Sequence, residues 1–245
     1  MGDRVAVIAR NSHAFAALRF AVARLGAVLV PVNFMLSAEE ANYILTHSGA
    51  SVLCTDSGFA ELGRAASAGT AIRHHVWLPG ETPTEPVAGL LRFDALLQPG
   101  PAPECELDGR MLAQIIYTSG TESRPKGAML THGAVIAEYV TCLVDAEIAR
   151  GDRVLHALPL YHCAQLDVFL GPSVYLGSTS YITSKPTPDN LLGLIGRHRI
   201  TQFFAPPTVW IGMLRSPLFD QTDLGCLEKG YYGASIMPVA VLKEL

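Results

Sequence analysis

The sequence predicts an α/β fold made of layered, mainly parallel sheets flanked by helices. Segments with a strand pattern alternate with segments of helical spacing along nearly the whole chain, and this alternation is typical of parallel sheets. Of the 245 residues, 49% are hydrophobic and 16% are charged, which provides enough apolar side chains for a buried core. A chain of this length can form one large domain or two smaller ones.

The first block of elements predicts one doubly wound unit. Ser12 precedes a segment with Phe15 and Leu18 at helical spacing, so we expect it to cap a helix. Ser37 stands three residues before Glu40, which is the spacing of a capping box at a helix start. Strands are predicted over 4–9, 28–32, 52–55 and 75–78, and helices over 12–25, from 37 onward and over 59–68.

Residues 79–108 are rich in proline and glycine and predict a linker, with one short helix around 93–97. We therefore expect a first α/β subdomain over 1–105 and a second over 106–245. The predicted elements of the second block are strands over 112–117, 154–158, 179–183 and 201–205, and helices over 131–148, 165–176 and 189–198.

The segment 117–127, Tyr-Thr-Ser-Gly-Thr-Glu-Ser-Arg-Pro-Lys-Gly, follows a predicted buried strand. Hydroxyl side chains surround Gly120, and a lysine and a glycine end the segment. Such a loop suits a polyphosphate, because glycine lets the backbone approach closely, hydroxyl and N–H groups donate to phosphate oxygens, and lysine adds positive charge. The common NTPase loop has glycine before its lysine and serine or threonine after it, whereas Pro125 and Gly127 flank Lys126 here. An ordinary turn rich in glycine, serine and threonine is the alternative.

The loop resembles the signature of the adenylate-forming enzymes, which include acyl-CoA synthetases, peptide-synthetase adenylation domains and luciferases. That signature is Thr-Ser-Gly-Thr-Thr-Gly-x-Pro-Lys-Gly, and residues 118–121 and 125–127 match it. Glu122 and Ser123 replace the usual Thr-Gly. Glu122 brings negative charge near the expected phosphate site, which weakens binding unless its side chain points away or pairs with Arg124.

The resemblance continues on both sides of the loop. Residues 2–7 and 25–33 resemble two early segments of the family, residues 158–162 resemble its Pro-Leu-Phe-His stretch near the acyl pocket, and residues 231–238 resemble the turn beside the adenine. The resemblance therefore implies that the chain is part of the large N-terminal domain of adenylate-forming enzymes.

The resemblance also implies roles for individual residues. The implied nucleotide-binding residues are Thr118, Ser119, Gly120, Thr121, Glu122, Lys126, Gly127, Gly233, Ala234 and Ser235, and the implied catalytic residues are Lys126 and Thr121. Residues 118–121 and Lys126 are expected at the phosphates, and 233–235 at the adenine. His162 and Tyr232 are expected to contact the acid, with polar capping of the next helix as the alternative for His162. The implied small molecules are ATP, Mg²⁺ and coenzyme A as co-substrate, with no metal ligand in this chain.

Family members are much longer than this chain, and the resemblance covers only their N-terminal half. No Tyr-Gly-x-Thr-Glu follows residue 238. The glutamate expected to hold Mg²⁺, the aspartate expected to hold the ribose, and the lysine of the mobile C-terminal domain are therefore absent. We expect the first subdomain to be incomplete at its N-terminus and the second at its C-terminus. The chain alone is expected to be inactive and prone to self-association.

The leading functional hypothesis is a ligase, an acyl-CoA synthetase of fatty acid metabolism. It would convert ATP and an apolar, preferably fatty, acid to acyl-AMP and then to acyl-CoA. Small and apolar residues around 161–176 and 203–213 favour an apolar acid, and Asp167, the one acidic residue there, is expected to face solvent. Two alternatives stay open: a non-catalytic nucleotide- or acyl-binding remnant, and an acyl-AMP ligase that delivers its product to a carrier protein.

Charge, hydropathy and cysteine usage argue against several other classes. A net charge of −4 without a long basic run disfavours a nucleic-acid partner, and no stretch of about 18 uncharged apolar residues predicts a membrane span. Five widely spaced cysteines without a C-x-x-C predict reduced thiols and a cytoplasmic location. Neighbouring side chains on a strand diverge, which argues against metal chelation by His74 with His75 and against a nucleophilic pair of Cys163 with His162.

Overall fold

The structure is a computed structural model that describes residues 1–101, 103–118 and 124–245. The described residues divide into two compact units. Unit 1 consists of Met1–Glu138 together with Leu160–Cys163, and unit 2 consists of Tyr139–Pro159 together with Ala164–Leu245. Each unit contains one sheet in which most neighbouring strands are parallel, so the α/β class predicted from the sequence is confirmed.

Unit 1 is built on a seven-stranded sheet. Its strands in chain order are β1 (Arg4–Ile8), β2 (Val28–Pro31), β3 (Val52–Thr55), β4 (His74–Trp77), β5 (Leu91–Arg92), β6 (Leu112–Thr118) and β7 (Lys126–Thr131). They lie in the order β5-β4-β3-β1-β2-β6-β7. β6 and β7 pair antiparallel, and the other pairs in this sheet are parallel.

The first helices begin at the predicted caps. The helices between these strands and directly after β7 are α1 (His13–Arg24), α2 (Ala38–Ser48), α3 (Ala60–Ala66) and α4 (His132–Asp145). Short 3₁₀ turns lie at Ser57–Phe59 and Phe93–Leu96. Ser12 caps α1 by accepting a hydrogen bond from the Phe15 N–H at 3.2 Å. The capping box of α2 is formed as predicted: the Ser37 N–H donates to Glu40 Oε2 at 2.8 Å, and the Glu40 N–H donates to Ser37 Oγ at 3.3 Å.

The core of unit 1 lies between its sheet and α2. β2 is buried along its whole length, as expected of an inner strand of a covered parallel sheet. Ala6, Val30 and Leu53 of the sheet share one apolar cluster with Ile44 and Leu45 of α2. Burial of such side chains contributes about 25 cal/mol per Å² of apolar surface, so α2 is firmly fixed against the sheet.

Unit 2 is built on a four-stranded parallel sheet with the strand order β11-β10-β8-β9, where the strands are β8 (Arg153–His156), β9 (Thr179–Ile182), β10 (Gln202–Ala205) and β11 (Lys229–Tyr232). Its helices are α5 (Gly171–Leu176), α6 (Pro188–His198), α7 (Pro207–Leu214) and α8 (Val239–Glu244), and a π-helical turn over Ala164–Leu170 precedes α5. Leu192 and Ile195 of α6 pack with Phe203 and Trp210 in its core. None of the helices in the described residues has the length and hydropathy that crossing a membrane requires.

A buried ion pair ties β11 to the start of β8. Lys229 Nζ lies 2.9 Å from Asp152 Oδ2 and donates to the Glu147 carbonyl oxygen at 2.7 Å. The Asp152 carboxylate also accepts hydrogen bonds from Thr201 Oγ1 at 3.1 Å and from the Ala149 N–H at 2.7 Å. Because the Asp152 side chain is only 5% exposed, the hydrogen bonds from Lys229, Thr201 and Ala149 replace the water that the carboxylate loses on folding.

The structure differs from the sequence prediction next to the loop. The helix predicted over 131–148 is present as α4, but the residues before it form β7, a strand that the pattern did not indicate. β7 is an edge strand, and Met129 within it is 71% exposed. It therefore lacks the apolar alternation by which a half-buried strand is identified. Because β6 and β7 join the first sheet, residues 106–138 lie in unit 1, whereas the predicted boundary places them in the second subdomain.

The expectation that Asp167 faces solvent is wrong. Asp167 lies in the π-helical turn of unit 2, and its side chain is fully buried. A π-helix has more residues per turn than an α-helix, so faces assigned at α-helical spacing do not hold there. The same reason explains why the predicted helix over 165–176 appears as two different helical segments.

Candidate functional site

Unit 1 contains a cleft of about 530 Å³ near the carboxyl ends of its strands. Its wall comes from the ends of β2 and β6, from α2, and from the segment Leu160–Cys163. The wall residues include Asn33, Glu40, Thr118, Pro125, Tyr161 and His162. Open α/β sheets bind ligands at this edge, and the volume is that of a small-molecule site. The cleft is therefore the candidate functional site.

The two ends of the glycine- and hydroxyl-rich loop meet beside this cleft. Thr118 ends β6, Lys126 begins β7, and the two residues are paired in the antiparallel register. Paired residues in antiparallel strands have Cα atoms about 4.5–5.5 Å apart, so the side chains of Thr118 and Lys126 start from neighbouring backbone positions. The other predicted phosphate ligands, Ser119, Gly120, Thr121 and Glu122, lie outside the described residues.

Gly127 has a steric reason to be glycine. It lies in β7 opposite Tyr117, and a Cβ atom at this position would come within 2.8 Å of Ile115 Cγ2 and 3.2 Å of Tyr117 Cζ. Any larger residue would push these side chains away and shift the strand that carries Lys126. The nucleotide-binding role predicted for Gly127 stays a prediction, and close packing is a second requirement at the same position.

Side chains of α2 hold both flanks of the loop. The Tyr43 hydroxyl donates to the Pro125 carbonyl oxygen at 3.3 Å, and the Arg124 guanidinium lies over the Tyr43 ring, 5.3 Å from its centroid. One turn later, His47 Nδ1 lies 2.8 Å from the Tyr117 hydroxyl. Burial, with a smaller effect of Tyr43, raises the pKa of Tyr117, which keeps the phenol neutral. Sequence reasoning missed this pair, although its i, i+4 spacing on a helix places both rings on one face.

The segment Leu160–Cys163 brings a second set of side chains to the cleft. Tyr161 packs edge-on against Phe34 with ring centroids 5.2 Å apart, and burial raises the pKa of Tyr161. His162 is exposed and lines the cleft, and Cys163 Sγ lies 3.9 Å from His162 Nδ1. The structure thus brings two sequence-predicted residues, Thr118 and His162, to one cleft although they lie far apart in the chain.

Positive charge dominates the end of the loop. Lys126 and Arg124 are both exposed. The carboxylate of Glu40 accepts a hydrogen bond from the Ser37 N–H, and this bond lowers the pKa of Glu40. The negative charge of Glu40 therefore stabilises the start of α2. Across the described ranges, no group of three or more His, Cys, Asp or Glu side chains could hold a metal ion.

The remaining predicted site residues lie in unit 2. Tyr232 ends β11, is 46% exposed and lines an apolar pocket of about 320 Å³. Gly233, Ala234 and Ser235 follow it directly. Ala234 adopts a left-handed conformation with a φ of 65°. A non-glycine residue is strained in this region, and such strain is found preferentially at ligand sites.

A comparison with protein families agrees with this geometry. The profile of the AMP-binding enzyme family matches residues 1–245. The chain belongs to the AMP-binding enzyme family. The resemblance seen in the loop and its neighbouring segments is thereby confirmed.

Curated relatives place the chain among AMP-binding proteins that are named as CoA ligases. It is 35% identical over 237 residues to a feruloyl-CoA synthase of an Amycolatopsis species, which covers 97% of this chain and 45% of that protein. It is 31% identical over 246 residues to a long-chain-fatty-acid–CoA ligase of Mycobacterium tuberculosis, which covers 99% of this chain and 47% of that protein. The chain spans about half the length of these relatives.

A solved structure confirms the AMP-binding fold. The N-terminal domain of FACL13 from Mycobacterium tuberculosis superposes with a TM-score of 0.86 at 28% identity, and the match covers 99% of this chain and 59% of that one. The mainly parallel sheets of the chain are therefore those of the N-terminal domain of adenylate-forming enzymes, as predicted from the sequence.

Within unit 2 of this AMP-binding chain, a buried histidine organises the backbone after β8. His156 Nε2 lies 3.0 Å from Ser180 Oγ, and His156 Nδ1 lies 2.9 Å from Gln165 Nε2. Gln165 in turn accepts a hydrogen bond from the Leu158 N–H at 3.1 Å. Burial lowers the pKa of His156 to about 3, so its ring is neutral at physiological pH.

We expect the protein to lose stability as the pH falls below about 6.5, because of His156. In the folded state the ring stays neutral down to about pH 3, whereas the unfolded chain takes up the proton near the ordinary histidine pKa of ~6.5. The unfolded state therefore binds more protons between these values. The stabilisation is complete above pH 6.5 and is lost progressively toward pH 3, with a loss of roughly 2 kcal/mol at pH 5.

Urea denaturation at pH 7.5 and pH 5 measures this loss. His156→Gln removes the titrating ring, so its free energy of unfolding is expected to fall less between the two pH values than that of the wild type. His13→Gln, at an exposed position, is the matched control and should retain the wild-type difference. An equal pH difference in all three proteins would show that another group causes the acid sensitivity.

Proposed function

We propose that this chain supplies the nucleotide- and acid-binding part of an ATP-dependent acid–thiol ligase. The reaction converts a carboxylic acid first to acyl-AMP and then to acyl-CoA. One observation carries the proposal: the ends of the signature loop, Thr118 and Lys126, are paired beside a cleft that His162 also lines. This arrangement offers donors for phosphate oxygens next to space for a second, less polar molecule.

In the first step, a carboxylate oxygen of the acid attacks the α-phosphorus of ATP, and the bond from this phosphorus to pyrophosphate breaks. The carboxylate is ionised at neutral pH, so the attack requires no general base. The protein must instead offset the negative charge of the triphosphate and of the leaving pyrophosphate. The Lys126 ammonium and the Thr118 hydroxyl are suited to donate to phosphate oxygens, and Arg124 adds a further positive charge.

In the second step, the sulfur of coenzyme A attacks the carbonyl carbon of acyl-AMP. The bond from this carbon to the phosphate oxygen breaks, AMP leaves, and the thiol proton passes to solvent. Membership of the AMP-binding family supports the same roles as the loop resemblance. In this proposal residues 118–122 with Lys126 and Gly127 hold the phosphates, Thr121 and Lys126 act in catalysis, and 233–235 line the adenine. His162 and Tyr232 contact the acid, and no described residue is assigned to Mg²⁺.

The proposed acid is an apolar monocarboxylic acid, with fatty acids ahead of amino acids. Three relatives are named for feruloyl-CoA, indoleacetate and long-chain fatty acids, which supports an apolar acid. Ile44, Ile116 and Tyr161 contribute apolar surface to the cleft. The Glu40 carboxylate in the cleft wall is already bonded to the Ser37 N–H, so burying the ammonium group of an amino acid costs several kcal/mol, whereas each buried CH₂ group contributes about 0.8 kcal/mol.

We place the reaction in the cytoplasm. All five cysteines carry free thiols, and Cys54 is buried so deeply that the pKa of its thiol rises to about 12. A thiol with this pKa stays protonated and unreactive at neutral pH. Unpaired cysteines are typical of a reducing compartment.

Acid-dependent exchange of labelled pyrophosphate into ATP tests the proposal on the full-length protein. We expect exchange with octanoate and longer fatty acids, less with phenylalanine, and none with the 245-residue chain alone. A zwitterionic amino acid as the best substrate would contradict the proposed acid class. ATP binding without exchange for any acid would favour a non-catalytic binding protein, and product transfer to a carrier protein instead of coenzyme A would favour an acyl-AMP ligase.

A further inference from the structure

Asn11 lies at the point where the first sheet changes direction. β1 has β2 on one side and β3 on the other, and the chain runs from β1 to β2 before it returns past β1 to β3. In open α/β sheets, the crevice at such a switch point lies outside the carboxyl ends of the strands and receives ligands. Asn11 lies between the carboxyl end of β1 and the start of α1.

In unit 1, a later segment of the same chain contacts Asn11 at this point. Asn11 Oδ1 accepts a hydrogen bond from the Leu160 N–H at 2.8 Å. Both residues are buried, with exposed fractions of 3% for Asn11 and 1% for Leu160. A backbone N–H that loses water without gaining an acceptor is costly, so this side chain satisfies a donor that would otherwise be left unpaired.

The neighbouring polar group at the crevice serves a different purpose. The Asp56 carboxylate accepts hydrogen bonds from the Arg10 N–H, 46 positions away, and from the Gly58 N–H, both at 2.8 Å, and so joins the segments that follow β1 and β3. Asn33, the residue of the same type after β2, accepts from the Met35 N–H at 2.9 Å and forms a local turn. Of these three side chains, Asn11 alone reaches a partner 149 positions away.

The three residues that follow Leu160 line the cleft. Next to Leu160, Tyr161 packs on Phe34, and Phe34 stacks on Phe59 with ring centroids 5.1 Å apart. His162 and Cys163 then line the cleft. The Asn11 hydrogen bond and the aromatic contacts together fix the backbone positions from which the side chains of His162 and Cys163 extend.

We propose that Asn11 is a positioning residue for the acid-binding side of the cleft, an inference that rests on the proposed function. Its side-chain oxygen holds the Leu160 N–H and thereby orients Tyr161, His162 and Cys163. Asn11 is not among the residues that line the cleft. Loss of the bond therefore weakens the use of the acid while leaving the phosphate side, at Thr118 and Lys126, unchanged.

Steady-state exchange kinetics of the full-length protein provide the first test. Asn11→Leu keeps the branched shape of the side chain but removes the acceptor, and it is expected to raise the KM for the acid about tenfold with less than a twofold change in the KM for ATP. A tenfold change corresponds to about 1.4 kcal/mol, which is the size of an ordinary hydrogen bond. Asn11→Asp keeps an acceptor oxygen at the same place and should stay within about threefold of the wild type.

Asn190 provides a matched control in unit 2, where its amide donates to the Lys185 carbonyl oxygen at 2.8 Å. Asn190→Leu should change neither KM. A parallel rise in both KM values for Asn11→Leu, or a defect in Asn11→Asp as large as that in Asn11→Leu, would overturn the positioning role.

Alkylation of cysteines in the full-length protein provides a second test that needs no activity. Cys163 is partly exposed, as are Cys105 and Cys142, which serve as internal references. With iodoacetamide and mass spectrometry, Asn11→Leu is expected to speed up the labelling of Cys163 about tenfold and to leave the two references within twofold. Equal acceleration at all three thiols, or none at Cys163, would overturn the inference. If the full-length protein activates no acid, the proposed function fails, but the labelling pattern still decides whether Asn11 positions the segment.

Discussion

Replacing Lys126 by alanine is expected to lower adenylation by the full-length protein by about one to two orders of magnitude. A hydrogen bond to a charged group contributes about 1.5–3 kcal/mol, and each 1.4 kcal/mol is a tenfold change in rate. Lys126 is exposed at the first position of β7, directly paired with Thr118, so its removal should leave the fold intact. Pyrophosphate exchange at saturating acid, measured as a function of ATP concentration, gives the effect.

Two further variants separate the position of the lysine from its charge. Lys185→Ala removes one exposed lysine from a loop of unit 2 and should leave exchange unchanged. Lys126→Arg keeps the charge but changes its geometry, and we expect it to recover part of the activity. Wild-type turnover in Lys126→Ala would mean that this lysine is only a solvated residue at the end of a strand.

Replacing Lys229 by methionine is expected to destabilise the protein by about 3–5 kcal/mol, because it leaves a buried carboxylate without its counter-charge. Asp152 would keep its hydrogen bonds from Thr201 and from the Ala149 N–H, but both Lys229 contacts, at 2.9 and 3.0 Å, would be lost. The free energy of unfolding from urea denaturation measures the change.

A double-mutant cycle shows whether the loss of stability comes from the ion pair of Lys229 with Asp152. Asp152→Asn combined with Lys229→Met removes both charges and should be more stable than Lys229→Met alone. Arg110 offers a matched surface control, since it pairs with Asp108 at 2.7 Å but its side chain is 91% exposed. Arg110→Met should have little effect on stability. A loss in Lys229→Met no larger than that in Arg110→Met would show that the pair in unit 2 is not important for stability.

Elements with local signals could be predicted from the sequence. The starts of α1 and α2 depend on Ser12 and on the capping box of Ser37 with Glu40, and these contacts span only three residues. The inner strands of unit 1 are buried on both sides, so their continuous apolar runs identify them. β7 carries no such signal, because its exposed face needs no apolar residues, so the sequence pattern does not predict it.

The candidate site could be predicted only in part, for the same reason. The motif identifies Thr118 and Lys126 as neighbours of a phosphate, but their direct pairing depends on the register of β6 with β7, which the motif does not contain. Tyr43 and His47 reach the flanks of the loop from α2, across 82 and 70 positions of the chain. Contacts over such distances depend on the completed fold, and no pattern within a single element records them.

The hydrogen bond from Leu160 to Asn11 also has a consequence for the order in which the chain folds. Unit 1 is discontinuous, and its last piece, Leu160–Cys163, is synthesised after the first strand of unit 2. At about 5–20 residues per second, the ribosome needs roughly 7–30 s to add the 149 positions that separate the two partners. During this time the sheet of unit 1 can pair its strands while the crevice at Asn11 stays open. The part of the cleft wall that carries His162 therefore forms after the sheet of unit 1 has been synthesised.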